Sequence, residues 1–336
     1  MRIQYIDKLK GMAILLVVMG HISVFGIGCN DQPFNHMYSS IDMPLFMFLS
    51  GIFAYKGIKA YDWRDALTFL RKKALRILVP FVMVGGLFLL VTTGGLGALL
   101  HHGASAYWFL PCLFYCMVIG LVAYYLAHFL KITPPRIENY RSLINNLLLG
   151  LLAYGFIWLV HLKGPHIPAW LHTTWMFPFF YAGVLFGLSD VVKRLFTQSS
   201  WAYAVAVVVY FFFQFMHPDR SITGIFAIII LMQLFSRYDA HIPPLLAKVG
   251  GYSLEIYVFH YFFLPALPSL APWFSWEMGG VKVSNANFVL MLVITFALAA
   301  VIVFICIMLA TLIRHNKFIS TILLGGTFKQ NNNNKS

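Results

Sequence analysis

His21 stands 11 residues beyond Lys10 in a run that carries no other charge, and in a helix that spacing is three turns, about 16 Å along the axis. The pair would share one helical face. An ammonium at one end of such a stripe can hold an anionic head, while an imidazole at the other, with an ordinary pKa of about 6.5, can move a proton. Asp7, one turn before Lys10, lies approximately on the same stripe. Position alone leaves a plainer reading open, with Lys10 as a snorkelling anchor and His21 as a hydrogen-bonded packing residue.

The second concentration of reactive groups is Arg71-Lys72-Lys73-Ala74-Leu75-Arg76. Lys72 and Arg76 are four apart and Lys73 and Arg76 three apart, so two cations of either pair could grip a phosphate-sized anion. The same cluster also suits a positive-inside topology signal. Ser50, Trp108, Glu255, Tyr257 and His260 fall within apolar runs, and Asp42 sits at the mouth of another. An ionisable group in hydrocarbon costs about 2.5 to 3.5 kcal/mol even on lenient insertion scales, so Glu255 in particular demands a partner or a purpose. Trp108 could belong to an aromatic belt, and Ser50-Gly51 to a close helix crossing.

The elements that must position these groups follow from composition. The 336 residues are 60% hydrophobic and only 10% charged, which no water-soluble globule matches. Charge-free stretches approach or exceed the roughly 20 residues that cross a bilayer core. They predict an all-α, polytopic membrane protein of ten spans, at about 9–28, 42–59, 76–94, 107–130, 144–162, 173–190, 201–217, 221–236, 250–270 and 286–313. With both termini cytoplasmic, all but Lys163, Arg220 and Lys282 of the 24 basic residues fall on the inner side, as translocation bias requires. The first span is expected to remain uncleaved, because its removal would invert every later loop. The net charge of +13 is spread between the hydrophobic runs, which argues against a nucleic-acid-binding face.

Short loops leave room for one membrane domain, residues 1–324, followed by a polar, disordered tail at 325–336 that ends in an Asn run. Cys29, Cys112, Cys116 and Cys306 show no disulfide or metal spacing. His101-His102, His161 and His166 lack matching acidic or thiol ligands, so no metal site is expected.

Taken in chain order, several segments resemble the acyltransferase family 3 membrane proteins. These are Tyr5 to Gly11, Val17-Val18-Met19-Gly20-His21, Met43 to Gly51, Lys73 to Pro80, Tyr107-Trp108-Phe109-Leu110, Phe177 to Gly183 and Tyr252 to His260. Two departures stand out. Lys73 occupies a position that is often arginine in the family, losing the bidentate fork for phosphate, and Asp42 stands where a histidine is common.

The resemblance implies an O-acyltransferase with no permanently bound cofactor, using acyl-coenzyme A, most commonly acetyl-coenzyme A, as donor and a cell-envelope sugar or polysaccharide precursor as acceptor. The inner-loop charge bias fits a bacterial inner membrane. Lys10, Lys73 and Arg76, with Lys72 beside them, would hold the donor's phosphates. His21 would act as general base or, alternatively, carry the acyl group itself, and Asp7 would assist by orienting Lys10. Ser50 and Trp108 would contact the substrates, with Asp42, Glu255 and His260 assigned to the substrate side as well. A proton-coupled transporter is the competing class, in which His21, Glu255 and His260 form a relay; the lack of an internal repeat argues against it.

Overall fold

The computed structural model describes residues 4–29, 33–55, 62–93, 106–130, 141–165, 167–216, 220–274 and 285–326. Every regular element among them is helical. They are α1 (Gln4–His21), α2 (Pro33–Ile52), α3 (Trp63–Pro80), α4 (Gly86–Thr93), α5 (Phe109–Phe129), α6 (Arg141–Lys163), α7 (Trp170–Leu188), α8 (Asp190–Thr197), α9 (Ser200–Met216), α10 (Arg220–Arg237), α11 (Pro244–Gly251), α12 (Ser253–Phe259), α13 (Ala271–Phe274), α14 (Asn285–His315) and α15 (Lys317–Leu324).

Local chemistry explains the breaks. Asp62 caps α3 by accepting the Arg64 N–H at 2.9 Å, and Asn316 caps α15 by accepting from Phe318 and Ile319. Pro80 cannot donate to the carbonyl one turn back, and the chain widens into a π turn over Phe81–Gly85 before α4 continues the direction. A second π turn, Ile22–Ile27, extends α1 beyond His21 and closes on Gly28 at φ +86°.

Among the described residues, five helical stretches are long and apolar enough to cross a membrane: Gln4–Ile27, Trp63–Thr92, Phe109–Phe129, Arg141–Lys163 and Val289–His315. Two bent pairs raise the number to seven if each forms one span, α7 with α8 at 111° and Ser253–Phe263 with Pro268–Phe274 at 85°. The chain is thus a multi-pass membrane protein. The stretch expected as one span at 250–270 is broken after Phe263, where Pro265 and Pro268 interrupt the hydrogen-bond ladder. The helix expected from residue 42 instead starts at Pro33; its opening turns contain Asn35, His36, Ser39 and Ser40, whose polarity hid them from a hydropathy reading. Gly325 belongs to the fold, as the left-handed cap of α15 at φ +71°, and residues 327–336 of the expected tail lie outside the described residues.

Burial is distributed as a lipid solvent dictates. Val293, Phe296, Phe304 and Leu312 of α14 point outward, as do Leu151, Leu152 and Phe156 of α6, because lipid tails are as apolar as these side chains. Close helix crossings use small residues. A side chain on Gly51 would overlap the Phe180 carbonyl, and one on Gly183 the Phe48 carbonyl, so α2 and α7 touch backbone to backbone. Gly11 meets the Leu246 carbonyl and Gly250 the Asp7 carbonyl in the same way, locking α11 across the start of α1.

Candidate active site

Lys10 of α1 and Lys73 and Arg76 of α3 line one cavity of about 220 Å³, together with Ser50 near the end of α2. Phe46, Phe53, Phe109, Leu113, Met117 and Tyr257 supply much of the apolar wall. The spacing of three on α3 puts Lys73 and Arg76 on one face, while the Gly11–Leu246 approach brings the first turns of α12 to the cavity beside Lys10. Lys10 Nζ lies 3.6 Å from Asp7 Oδ1 and 5.0 Å from the centre of the Phe53 ring. Lys73 Nζ lies 5.4 Å from that of Phe69. Three cations beside a mainly apolar wall suit a ligand with a polyanionic head and an apolar arm.

The second site is at the far end of α1. His21 Nδ1 is 2.7 Å from His260 Nε2, and His260 Nδ1 is 3.0 Å from the Ile256 carbonyl oxygen. The Tyr261 hydroxyl is 3.3 Å from His21 Nε2. His260 is fully buried. Aromatic rings enclose the group: Phe25 centres 5.5 Å from His21, and Tyr107 5.2 Å from Tyr261. Tyr107 donates to the Val258 carbonyl at 2.9 Å and Tyr257 to the Ala106 carbonyl at 3.3 Å, pinning the start of α5 to α12. Tyr257 faces both regions, since it lines the basic cavity and centres 6.0 Å from His260. The stripe anticipated between Lys10 and His21 therefore joins two built sites.

The other expected residues are placed less centrally. Asp7 pairs with Lys10 and stands 14 residues before His21, about 21 Å along the helix, so any catalytic part it takes runs through Lys10. Lys72 is exposed and lines a separate cleft of about 190 Å³ with Arg76, Leu324, Gly325 and Gly326. Trp108 stacks on His172 with ring centres 4.0 Å apart. Asp42 accepts the Met43 N–H at 2.5 Å. Glu255 is 1% exposed and ion-pairs with Arg314, whose guanidinium also lies 4.2 Å from the centre of the Tyr252 ring. That pair is the partner its buried carboxylate required.

Tyr261, His172 and Arg314 were not singled out by sequence. Tyr261 follows the histidine that was noted, so the signal was adjacent; Arg314 was read only as an inner-loop charge; His172 carried no signal. Among the described residues no group of three or more His, Cys, Asp or Glu is arranged to hold a metal, and the four buried cysteines form no disulfide.

A family model described as an acyltransferase domain matches residues 3–312. No curated protein and no solved structure matches the chain.

Proposed function

Because the chain belongs to acyltransferase family 3, whose domain covers nearly all of it, and is therefore a membrane acyltransferase, we propose that it moves an acyl group, acetyl in the simplest case, from cytoplasmic acyl-coenzyme A to a hydroxyl of a cell-envelope sugar or polysaccharide precursor. The observation that carries this reading is the convergence of Lys10, Lys73 and Arg76 on one cavity at the end of the helix that carries His21. The nucleotide phosphates bind the three cations through charge-assisted contacts. The pantetheine arm follows the apolar wall past Phe46 and Phe109 towards Tyr257.

His21 then takes the proton of the acceptor hydroxyl as that oxygen attacks the thioester carbonyl. The carbon–sulfur bond breaks, and the departing thiolate recovers the proton from the imidazole. Ser50 supplies a hydrogen bond within the cavity, and the Trp108–His172 stack offers a flat face for a sugar ring on the acceptor side. Asp42, near the same end of the bundle as His21, belongs with the acceptor. Ten spans, cytoplasmic termini and a bacterial inner membrane complete the reading, which the distribution of Lys and Arg supports.

The test is turnover of acetyl-coenzyme A by purified protein in lipid, alongside coenzyme A binding, for the parent, His21→Ala and Arg76→Ala. The expected result is that binding needs Arg76 and turnover needs His21. A folded parent that neither binds nor consumes the donor would overturn the reading and turn attention to proton-coupled transport.

A further inference from the structure

Three contacts link the imidazole site, and each must contain one donor and one acceptor. The Ile256 carbonyl only accepts, so His260 Nδ1 carries the proton of that 3.0 Å contact. In a neutral ring this leaves His260 Nε2 with a lone pair. His21 Nδ1, 2.7 Å away, must then carry a proton of its own, since two lone pairs at that distance repel. The remaining nitrogen, His21 Nε2, is left as the acceptor, and the Tyr261 hydroxyl donates to it. With both rings neutral no other assignment satisfies all three contacts.

Ring geometry agrees. The two imidazole planes are within 5° of parallel and their centres are 5.0 Å apart. With nitrogens 2.7 Å apart, the rings meet edge to edge, along the direction in which an N–H and a lone pair point. We infer that His260 is a positioning residue that holds His21 in the Nδ1–H tautomer, so that Nε2 is the atom that receives the acceptor's proton. The inference rests on the reading of His21 as the base.

A neutral orienting group suits this place. A carboxylate behind His21 would need a compensating charge inside the bilayer, and the acid nearest His260 in sequence, Glu255, is already turned to Arg314 on another side of α12. At the end of α12 the Ile256 carbonyl accepts the His260 backbone N–H, and its second lone pair accepts the ring Nδ1–H of the same residue. In the transfer step the acceptor's O–H proton passes to His21 Nε2, the C–S bond breaks as the C–O bond forms, and the same proton leaves on the thiol. His260 gains and loses nothing. Tyr261 occupies the position at Nε2 that the acceptor hydroxyl takes, and its own O–H yields when the acceptor arrives.

The experiment is nitrogen-15 spectroscopy of histidine rings in the full-length protein in lipid, with the His21 signals identified by their loss in His21→Gln. The parent is expected to show His21 protonated at Nδ1 and bare at Nε2; a His21 protonated at Nε2 overturns the inference. His260→Phe, which keeps ring volume without an acceptor, is expected to lose this tautomer preference and about 10²-fold in kcat, with coenzyme A affinity kept within about twofold. His260→Gln, whose amide oxygen can replace the lost acceptor, is expected to recover about tenfold of that loss. Full kcat in His260→Phe overturns the inference. If the folded parent fails to turn over donor, the acyltransfer reading falls, while the tautomer of His21 still decides the positioning role.

Discussion

At the scale of single residues, the three cations of the cavity are not equivalent. Arg76 lines both the main cavity and the cleft shared with Gly325, and it stands within electrostatic reach of Glu255 and Arg314. A guanidinium–phosphate contact contributes about 1.5 to 3 kcal/mol. Arg76→Ala is therefore expected to raise the KM for donor by about 10- to 100-fold while leaving kcat nearly unchanged, as steady-state kinetics would report. Glu255 also carries a stability prediction. Its carboxylate is buried against Arg314, and removing one partner of such a pair leaves an uncompensated charge that costs about 3 to 5 kcal/mol. Glu255→Ala should lower the thermal unfolding midpoint in detergent, and the double change of Glu255 and Arg314 to Met should restore part of the loss. A double variant less stable than Glu255→Ala would show that the pair is not the source.

At the scale of elements, the site depends on helix crossings close enough to exclude a side chain. Gly51 and Gly183 form the crossing of α2 and α7, which sets Ser50 and Phe46 in the cavity wall. Gly155 on α6 faces open space. Gly51→Ala and Gly183→Ala are each expected to cost about 1 to 3 kcal/mol through forced separation of the backbones. Gly155→Ala should instead stabilise by about 0.4 to 1 kcal/mol, since it only restricts the unfolded chain. Melting curves of the three variants under one condition would check the ordering. The crossing of α1 with α11 through Gly11 and Gly250 carries a functional consequence as well, because Lys10 is the next residue. Gly11→Val should weaken donor binding more than it changes kcat, read from the same kinetics.

At the scale of the whole molecule, two sites sit along one helix, and the rings of Phe109 and Tyr257 lie between them. On the proposed reading, a donor held at the basic cavity and an acceptor at the other end would meet at the imidazole pair. The arrangement predicts that the basic cavity faces the cytoplasm. In sealed vesicles, Lys72→Cys should react with a membrane-impermeant maleimide only from the cytoplasmic face; the native cysteines are buried and should add little background. Labelling from the opposite face would invert the topology and place the donor clamp on the wrong side for cytoplasmic acyl-coenzyme A.

Much of this was legible before any coordinates. Apolar run lengths and the placement of Lys and Arg required a multi-pass helical protein, because hydrocarbon tolerates neither open backbone nor stray charge. The 11-residue interval on one helix put Lys10 and His21 on one face, since a helix relates residues by a local rule. What a local rule cannot reach was left to packing. The pairing of His21 with His260 joins residues 239 apart, and the pairing of Glu255 with Arg314 spans 59; both depend on which helices become neighbours. Proline breaks in the stretch 250–270 and the polar opening of α2 misled the span boundaries because hydropathy averages over a window. Which nitrogen of His21 is bare is likewise absent from the sequence, for it is decided by a carbonyl on another helix and transmitted through a second imidazole.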